Sequence, residues 1–138
     1  MTPSQRIGRW LTSTGRWVPG MRLVDPSDGE RYVVLAVESP GWRVYSLDDG
    51  RVSSYTFGSL RIDMNAGPTR GALEDILLEA WPFAVVFYLE GREPARSYAV
   101  QEYHTIDALN PGHDVRGVSR GAAVAAALIV AHEIPEYR

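Results

Sequence analysis

RYVVLAVESPGWRVYSLDDGRVSSYTFGSLRI, residues 31–62, decides the architecture of the first half of this chain. Three short runs rich in Val, Tyr, Trp and Thr are separated by Ser39-Pro40-Gly41 and by Asp48-Asp49-Gly50. β-Branched and aromatic runs punctuated in this way form a tight antiparallel meander. The predicted strands are Arg31–Glu38, Trp42–Leu47 and Val52–Phe57, preceded by Met21–Val24 and followed by a short strand at Leu60–Ile62. Asp48-Asp49-Gly50 reads as a three-residue hairpin loop with the glycine in the left-handed region. That loop sets Leu47 opposite Arg51, Tyr45 opposite Ser53 and Arg43 opposite Tyr55. Tyr45, Leu47 and Tyr55 then share one face, and Trp42, Val44 and Val52 the other. Both faces carry large apolar groups, so one needs a cover: the second half of the chain, another copy, or a partner.

Outward from this stretch, residues 2–15 read as a short helix. Thr2 is its N-cap, Pro3 suits the first turn, Gly15 is the stop, and Ile7, Trp10 and Leu11 share a face. Residues 63–68 read as a linker. Thr69 is expected to cap a helix from Arg70 to about Ala80, with Leu73, Ile76, Leu77 and Ala80 as its apolar stripe and Trp81-Pro82 as its end. Phe83–Leu89 is almost continuously apolar and is expected to be a strand buried on both sides. Glu90-Gly91-Arg92-Glu93 is the hairpin turn, Ala95–Ile106 the returning strand, and residues 107–118 a Pro/Gly loop. Ser119 caps a last helix reaching about His132, whose segment Ala122–Ala131 is apolar all round; such a helix is buried or lies in an interface. It is expected to lie across the 83–106 hairpin.

The pattern Gly20-Met21-Arg22-Leu23-Val24-Asp25, Tyr32-Val33-Val34-Leu35-Ala36-Val37, Val44-Tyr45-Ser46-Leu47-Asp48-Asp49-Gly50 and Ser59-Leu60 resembles a small SH3-like or Tudor-like barrel over residues 19–62. The resemblance implies a module that binds peptides, nucleic acids or partner proteins. The expected fold is α+β. It comprises an N-terminal arm or short helix (1–18), a small antiparallel barrel-like meander (19–62), and a helix, β-hairpin and C-terminal apolar helix (69–138) packed on the first half.

Composition narrows the function classes. With 138 residues, 45% hydrophobic and 22% charged, the chain is long enough for one globular core. A net charge of −3 gives no bulk attraction to nucleic acid or anionic membrane. No cysteine is present, which excludes disulfides, thiolate catalysis and cysteine-based zinc sites. MTPSQRIGRW lacks the apolar core of a signal peptide, and Ala122–Ala131 is far shorter than the roughly 20 residues of a membrane span. A cytoplasmic protein without membrane association is therefore expected. All 14 basic residues are arginine, as GC-rich coding produces, and guanidinium groups favour bidentate and stacked contacts.

Gly117-Val118-Ser119-Arg120-Gly121 matches the letters of the G-x-S-x-G nucleophile elbow, but the downstream acid-then-His order is absent, and a Ser before a helix is more often an N-cap. Arg116, Gly117, Ser119 and Arg120 precede a helix N-terminus and form a candidate anion site. His104, Asp107, His113 and Asp114 cluster in sequence without a metal-ligand spacing, and Asp25, Asp28 and Glu30 lack the calcium-loop pattern. No catalytic residue, metal or cofactor is expected. Trp, Tyr and Arg dominate binding hot spots, which makes Trp42, Arg43, Arg51 and Tyr55 the candidate partner-binding residues. The favoured function is non-enzymatic protein binding, as an inhibitor, adaptor or assembly factor in the style of phage or mobile-element accessory proteins from GC-rich bacteria. The alternatives are nucleic-acid binding through the small barrel and a virion or structural component that self-associates through the Ala122–Ala131 helix.

Overall fold

The structure, a computed structural model, describes residues 1–89 and 98–137. The expected hairpin turn at 90–93 and the start of the returning strand at 95–97 lie outside the described residues. Helix α1 spans Pro3–Thr14, and Thr2 and Gln5 close a reciprocal capping box at its start. Strands β1 (Arg22–Val24), β2 (Arg31–Glu38), β3 (Gly41–Ser46), β4 (Val52–Thr56) and β5 (Arg61–Ile62) follow. They form one antiparallel sheet in the order β4-β3-β2-β1-β5. β4 and β5 are its two edges and do not pair with each other, so the sheet stays open rather than closing into a barrel.

The meander is as expected in strand order but not in register. Trp42 pairs with Tyr55, Val44 with Ser53 and Tyr45 with Val52, one residue away from the three-residue-loop arithmetic. Ser46 faces two residues: its carbonyl accepts from Gly50 N–H (3.0 Å) and its N–H donates to Arg51 O (2.8 Å). Gly50 has φ +75°, the left-handed conformation, and is the extra residue of a bulge opposite Ser46. The bulge consumes one residue and turns the whole of β4 over.

Helix α2 spans Gly67–Ala80 and starts earlier than expected, with Ala66 as an N-cap that makes no side-chain bond and Pro68 in its first turn. Thr69 is not the cap. It is fully buried, and its hydroxyl accepts from the Arg22 N–H at 2.8 Å, tying α2 to β1. β6 (Ala84–Tyr88), β7 (Tyr98–Glu102) and β8 (His113–Gly117) form a second antiparallel sheet in that order. β8 replaces part of the loop that the sequence predicts over 107–118; its only large apolar residue is Val115, so no apolar run announces it. β6 is not buried on both sides. It is an edge strand, and Val85, Tyr88 and the preceding Phe83 remain exposed.

Helix α3 (Arg120–Ala131), capped by Ser119, lies against β6, β7 and β8 and also against α1 and α2. Its small side chains allow this, and Ala123, Val124, Ala125, Ala127 and Leu128 are buried within the chain itself. The self-association face expected on Ala122–Ala131 is thus largely occupied, leaving Val130 as its exposed large side chain. One apolar cluster runs from Ile7 and Leu11 through Leu23, Val34 and Val44 to Leu73, Val100 and Leu128, joining both halves. Among the described residues, no helix is long and apolar enough to cross a membrane.

The hairpin is also tied electrostatically. Asp48 accepts from the Arg31 N–H at 2.7 Å and from its guanidinium at 3.0 Å. The backbone bond first, then the guanidinium, holds its carboxyl below the ordinary value. A depressed carboxylate pKa stabilises the fold above the unfolded value, and that contribution is lost as pH falls through the folded one. The side-chain carbon resonance of Asp48 is therefore expected to titrate below the ordinary aspartate value of about 3.9. A midpoint at or above that value refutes the tie.

Candidate functional site

The register slip redistributes the four expected partner residues. Trp42 and Tyr55 now share the inner face, and Trp42 is 2% exposed. Its ring meets Trp17 at 5.2 Å and Phe57 at 5.0 Å, both edge-on, a favoured aromatic geometry. Trp42 is covered by this chain, with Trp17 and Phe57 packed on its ring, and offers almost no surface to a partner. Tyr55 is half-buried, and its hydroxyl lies 3.0 Å from that of Tyr32. Tyr32 donates in turn to Glu30 at 2.7 Å, and Ser46 donates to the other Glu30 oxygen at 2.8 Å. Burial first, then its bonds to Tyr55 and Glu30, pushes the Tyr32 phenol pKa far up, so this network stays uncharged at the phenol. Its role is to hold the inner face of the hairpin together.

The outer face is the one left open. Arg22, Val33, Tyr45 and Val52 pair across the sheet in one row. Leu47 N–H bonds Arg31 O in the next row, and Arg43 pairs with Ala36 beside a bulge at Leu35. Leu35 (42%), Leu47 (43%) and Val52 (50%) are exposed, and Tyr45 is similar. Scattered exposed apolar residues are ordinary, whereas a contiguous cluster marks a contact surface. Around the cluster stand Arg22, Arg31 and Arg43, whereas Arg51, opposite the buried Ser46, belongs to the other face. Among the described residues, Arg43 and Arg51 have no carboxylate partner, while Arg31 is paired with Asp48. Glu38, opposite Gly41 at the far end, is the carboxylate on this face. Tyr45 and Leu47 share a face in the sequence reading as well; Val52 joins them only through the bulge at Gly50, whose signal is the choice of a bulged turn for Asp-Asp-Gly, and Leu35 only through the separate irregularity between Val34 and Ala36.

The residues of the candidate anion site are present at the start of α3 but already engaged. Arg116 donates twice to Asp114, at 2.9 and 2.8 Å. These bonds lower the Asp114 pKa and raise that of Arg116. Arg120 donates to Glu74 at 2.7 Å, which raises its pKa. The Ser119 hydroxyl accepts from the Ala122 N–H at 3.1 Å, a cap rather than a nucleophile beside a base. Gly117 is where the α3 backbone touches β8: a Cβ there would fall on the Ala123 nitrogen and lie 2.8 Å from its Cα.

His104 and His113 do converge, on a residue outside the expected cluster. Glu102 is buried, with its carboxylate 3.4 Å from His104 Nδ1 and 3.1 Å from His113 Nδ1. Trp81 stacks on His113 at 4.8 Å. Asp107 is exposed, and Asp114 points its carboxylate at Arg116. Among the described residues, no group of three or more His, Asp or Glu is placed to hold a metal ion. The Glu102 cluster clips the end of β7 to β8, where Glu102 and His113 are cross-strand partners. No family model, curated protein or solved structure matches the chain.

Proposed function

We propose that the chain is a non-enzymatic protein-binding module, an inhibitor, adaptor or assembly factor, and that its contact surface is the outer face of the β1–β5 sheet. The observation that carries this reading is the apolar row through Val33, Tyr45 and Val52, with Leu35 and Leu47 beside it, left open while Trp42, Val44 and Ser46 on the opposite sheet face are buried. The arginine border, with Glu38 alone opposing it among these strand positions, favours a partner segment that combines large apolar side chains with Asp or Glu. Tyr45 and Arg43 are the residue types that concentrate binding energy. The resemblance of residues 19–62 to SH3-like modules supports the same class of function. A phage or mobile-element origin rests on the lysine-free, Arg-rich composition.

The test is selection of displayed peptides against the purified protein. Recovered sequences are expected to be rich in acidic and large apolar residues. Tyr45→Glu is expected to weaken their binding at least about tenfold, or 1.4 kcal/mol, with the thermal midpoint little changed because Tyr45 is on the open face. Peptides that bind Tyr45→Glu undiminished place the contact elsewhere. Oligonucleotide binding that weakens steeply with salt would replace this reading with phosphate-driven recognition.

A further inference from the structure

The open outer face runs out to β4, an edge of the five-stranded sheet with β3 as its strand neighbour. Two bonds that bracket β4 fix which of its backbone groups point outward. Ser46 N–H donates to Arg51 O at 2.8 Å, and Phe57 N–H donates to Pro40 O at 3.0 Å. Antiparallel partners alternate between bonded and non-bonded pairs. Arg51, Ser53, Tyr55 and Phe57 therefore turn their backbone groups toward β3, and Val52, Ser54 and Thr56 turn theirs away from the sheet. The Thr56 carbonyl is taken by Ser59, through its N–H at 3.2 Å and its hydroxyl at 2.6 Å. The N–H and C=O groups of Val52 and Ser54 have no partner among the described residues. Proteins guard such edges with charges, prolines, bulges or short strands. The opposite edge, β5, is two residues long and carries Arg61. β4 is five residues, Val-Ser-Ser-Tyr-Thr, uncharged, without proline and paired without a bulge. The residues that offer these backbone groups also lie on the outer face. Val52 closes the apolar row of Val33 and Tyr45, and Ser54 stands opposite Arg43.

We infer that β4 takes up an extended segment of the partner protein as a further antiparallel strand. The inference rests on the outer face being the contact surface, and it adds how that surface is entered and which sequence fits. Main-chain bonds to Val52 and Ser54 supply affinity, and alternate side chains supply specificity. The residue opposite Val52 continues the apolar row, so it is large and apolar. The residue two positions before it, opposite Ser54, is Asp or Glu. It stands two strands, about 10 Å, from Arg43, and the serine between them is short enough for the guanidinium to pass over. Arg43 has no carboxylate partner among the described residues, and this acidic side chain supplies one.

The probe is the peptide acetyl-Thr-Thr-Glu-Thr-Ile-Thr-amide, followed by calorimetry and by NMR hydrogen exchange. It is expected to bind with a dissociation constant below about 1 mM. At saturation it is expected to slow exchange of the Val52 and Ser54 amides at least about fivefold. Replacing its Glu by Lys is expected to weaken binding at least about tenfold, and the exposed substitution Arg43→Gln is expected to erase that difference. N-methylation of the Glu or the Ile, whose N–H groups face β4, is expected to cost at least about tenfold, whereas N-methylation of the Thr between them, which faces away, costs little. Val52 and Ser54 amides that exchange as in the free protein, or equal sensitivity to methylation at all three positions, overturn the edge pairing. The outer-face reading survives that result if Tyr45→Glu still weakens the display-selected peptides, and falls separately if it does not. Protection of the two amides that grows with protein concentration, without peptide, assigns the edge to a second copy and overturns the inference.

Discussion

Trp42→Ala is expected to destabilise the fold by about 3–5 kcal/mol, the range for deleting a large aromatic from a core. The side chain is 2% exposed and is held edge-on by Trp17 and Phe57. Deletion leaves a void beside Trp17 and Phe57, whose rigid rings cannot flow into the gap. Small domains have only about 5–15 kcal/mol in total, so the variant stands near the edge of unfolding. Urea denaturation checks this, as a lowered midpoint with unchanged slope. Trp42→Phe keeps an aromatic ring in place and removes an N–H that has no acceptor among the described residues, so it is expected to cost less than half as much. A loss below about 1 kcal/mol for the alanine variant would mean that the ring is not the core residue its burial indicates. A partner lost on Trp42→Ala would therefore report unfolding and say nothing of an interface. Tyr45 is the position where loss of binding is separable from loss of structure.

That reassignment turns on one residue of register. The strands themselves were legible because β-branched and aromatic runs with Pro- and Gly-bearing turns have few other solutions, and α1 and α3 were legible from Thr2, Pro3, Gly15 and Ser119. The loop Asp48-Asp49-Gly50 was recognised with its left-handed glycine. A bulged turn and a plain three-residue loop have the same letters, however, and differ by one residue in what they pair. Since side chains alternate with a period of two, the slip moved Val52 outward and Tyr55 inward. Trp42 and Arg43, adjacent in one strand, face opposite ways in either register; the slip carried Tyr55 and Arg51 from the side of Arg43 to that of Trp42. β8 was illegible for a different reason. It is a strand by virtue of its pairing with β7, with Glu102 opposite His113 and Val100 opposite Val115, and a single apolar residue in five leaves no periodicity to read. Thr69 shows the limit of cap signals: a threonine before an apolar stripe satisfied the rule, but its hydroxyl is used by the Arg22 N–H of a strand distant in sequence.

The G-x-S-x-G letters at residues 117–121 make the second large effect. Gly117→Ala is expected to cost about 3 kcal/mol, the upper part of the range for overpacking. The obstacle is backbone: a Cβ would strike the Ala123 nitrogen and lie 2.8 Å from its Cα. No rotamer change can relieve a contact between a Cβ and a helix backbone, so α3 must move off β8. Because α3 also packs on α1 and α2, that movement is opposed by the rest of the core. Ser119→Ala removes only the bond to the Ala122 N–H and is expected to cost about 1 kcal/mol, as caps do. A nucleophile elbow would show the reverse dependence, with the serine indispensable to function. Here the sensitive letter is the first glycine, and the readout is stability. Denaturation of the two variants side by side decides it. If Ser119→Ala costs as much as Gly117→Ala, the close approach of α3 to β8 is not what requires glycine at this position. If it costs a third as much, the motif is explained by a helix packed on a strand.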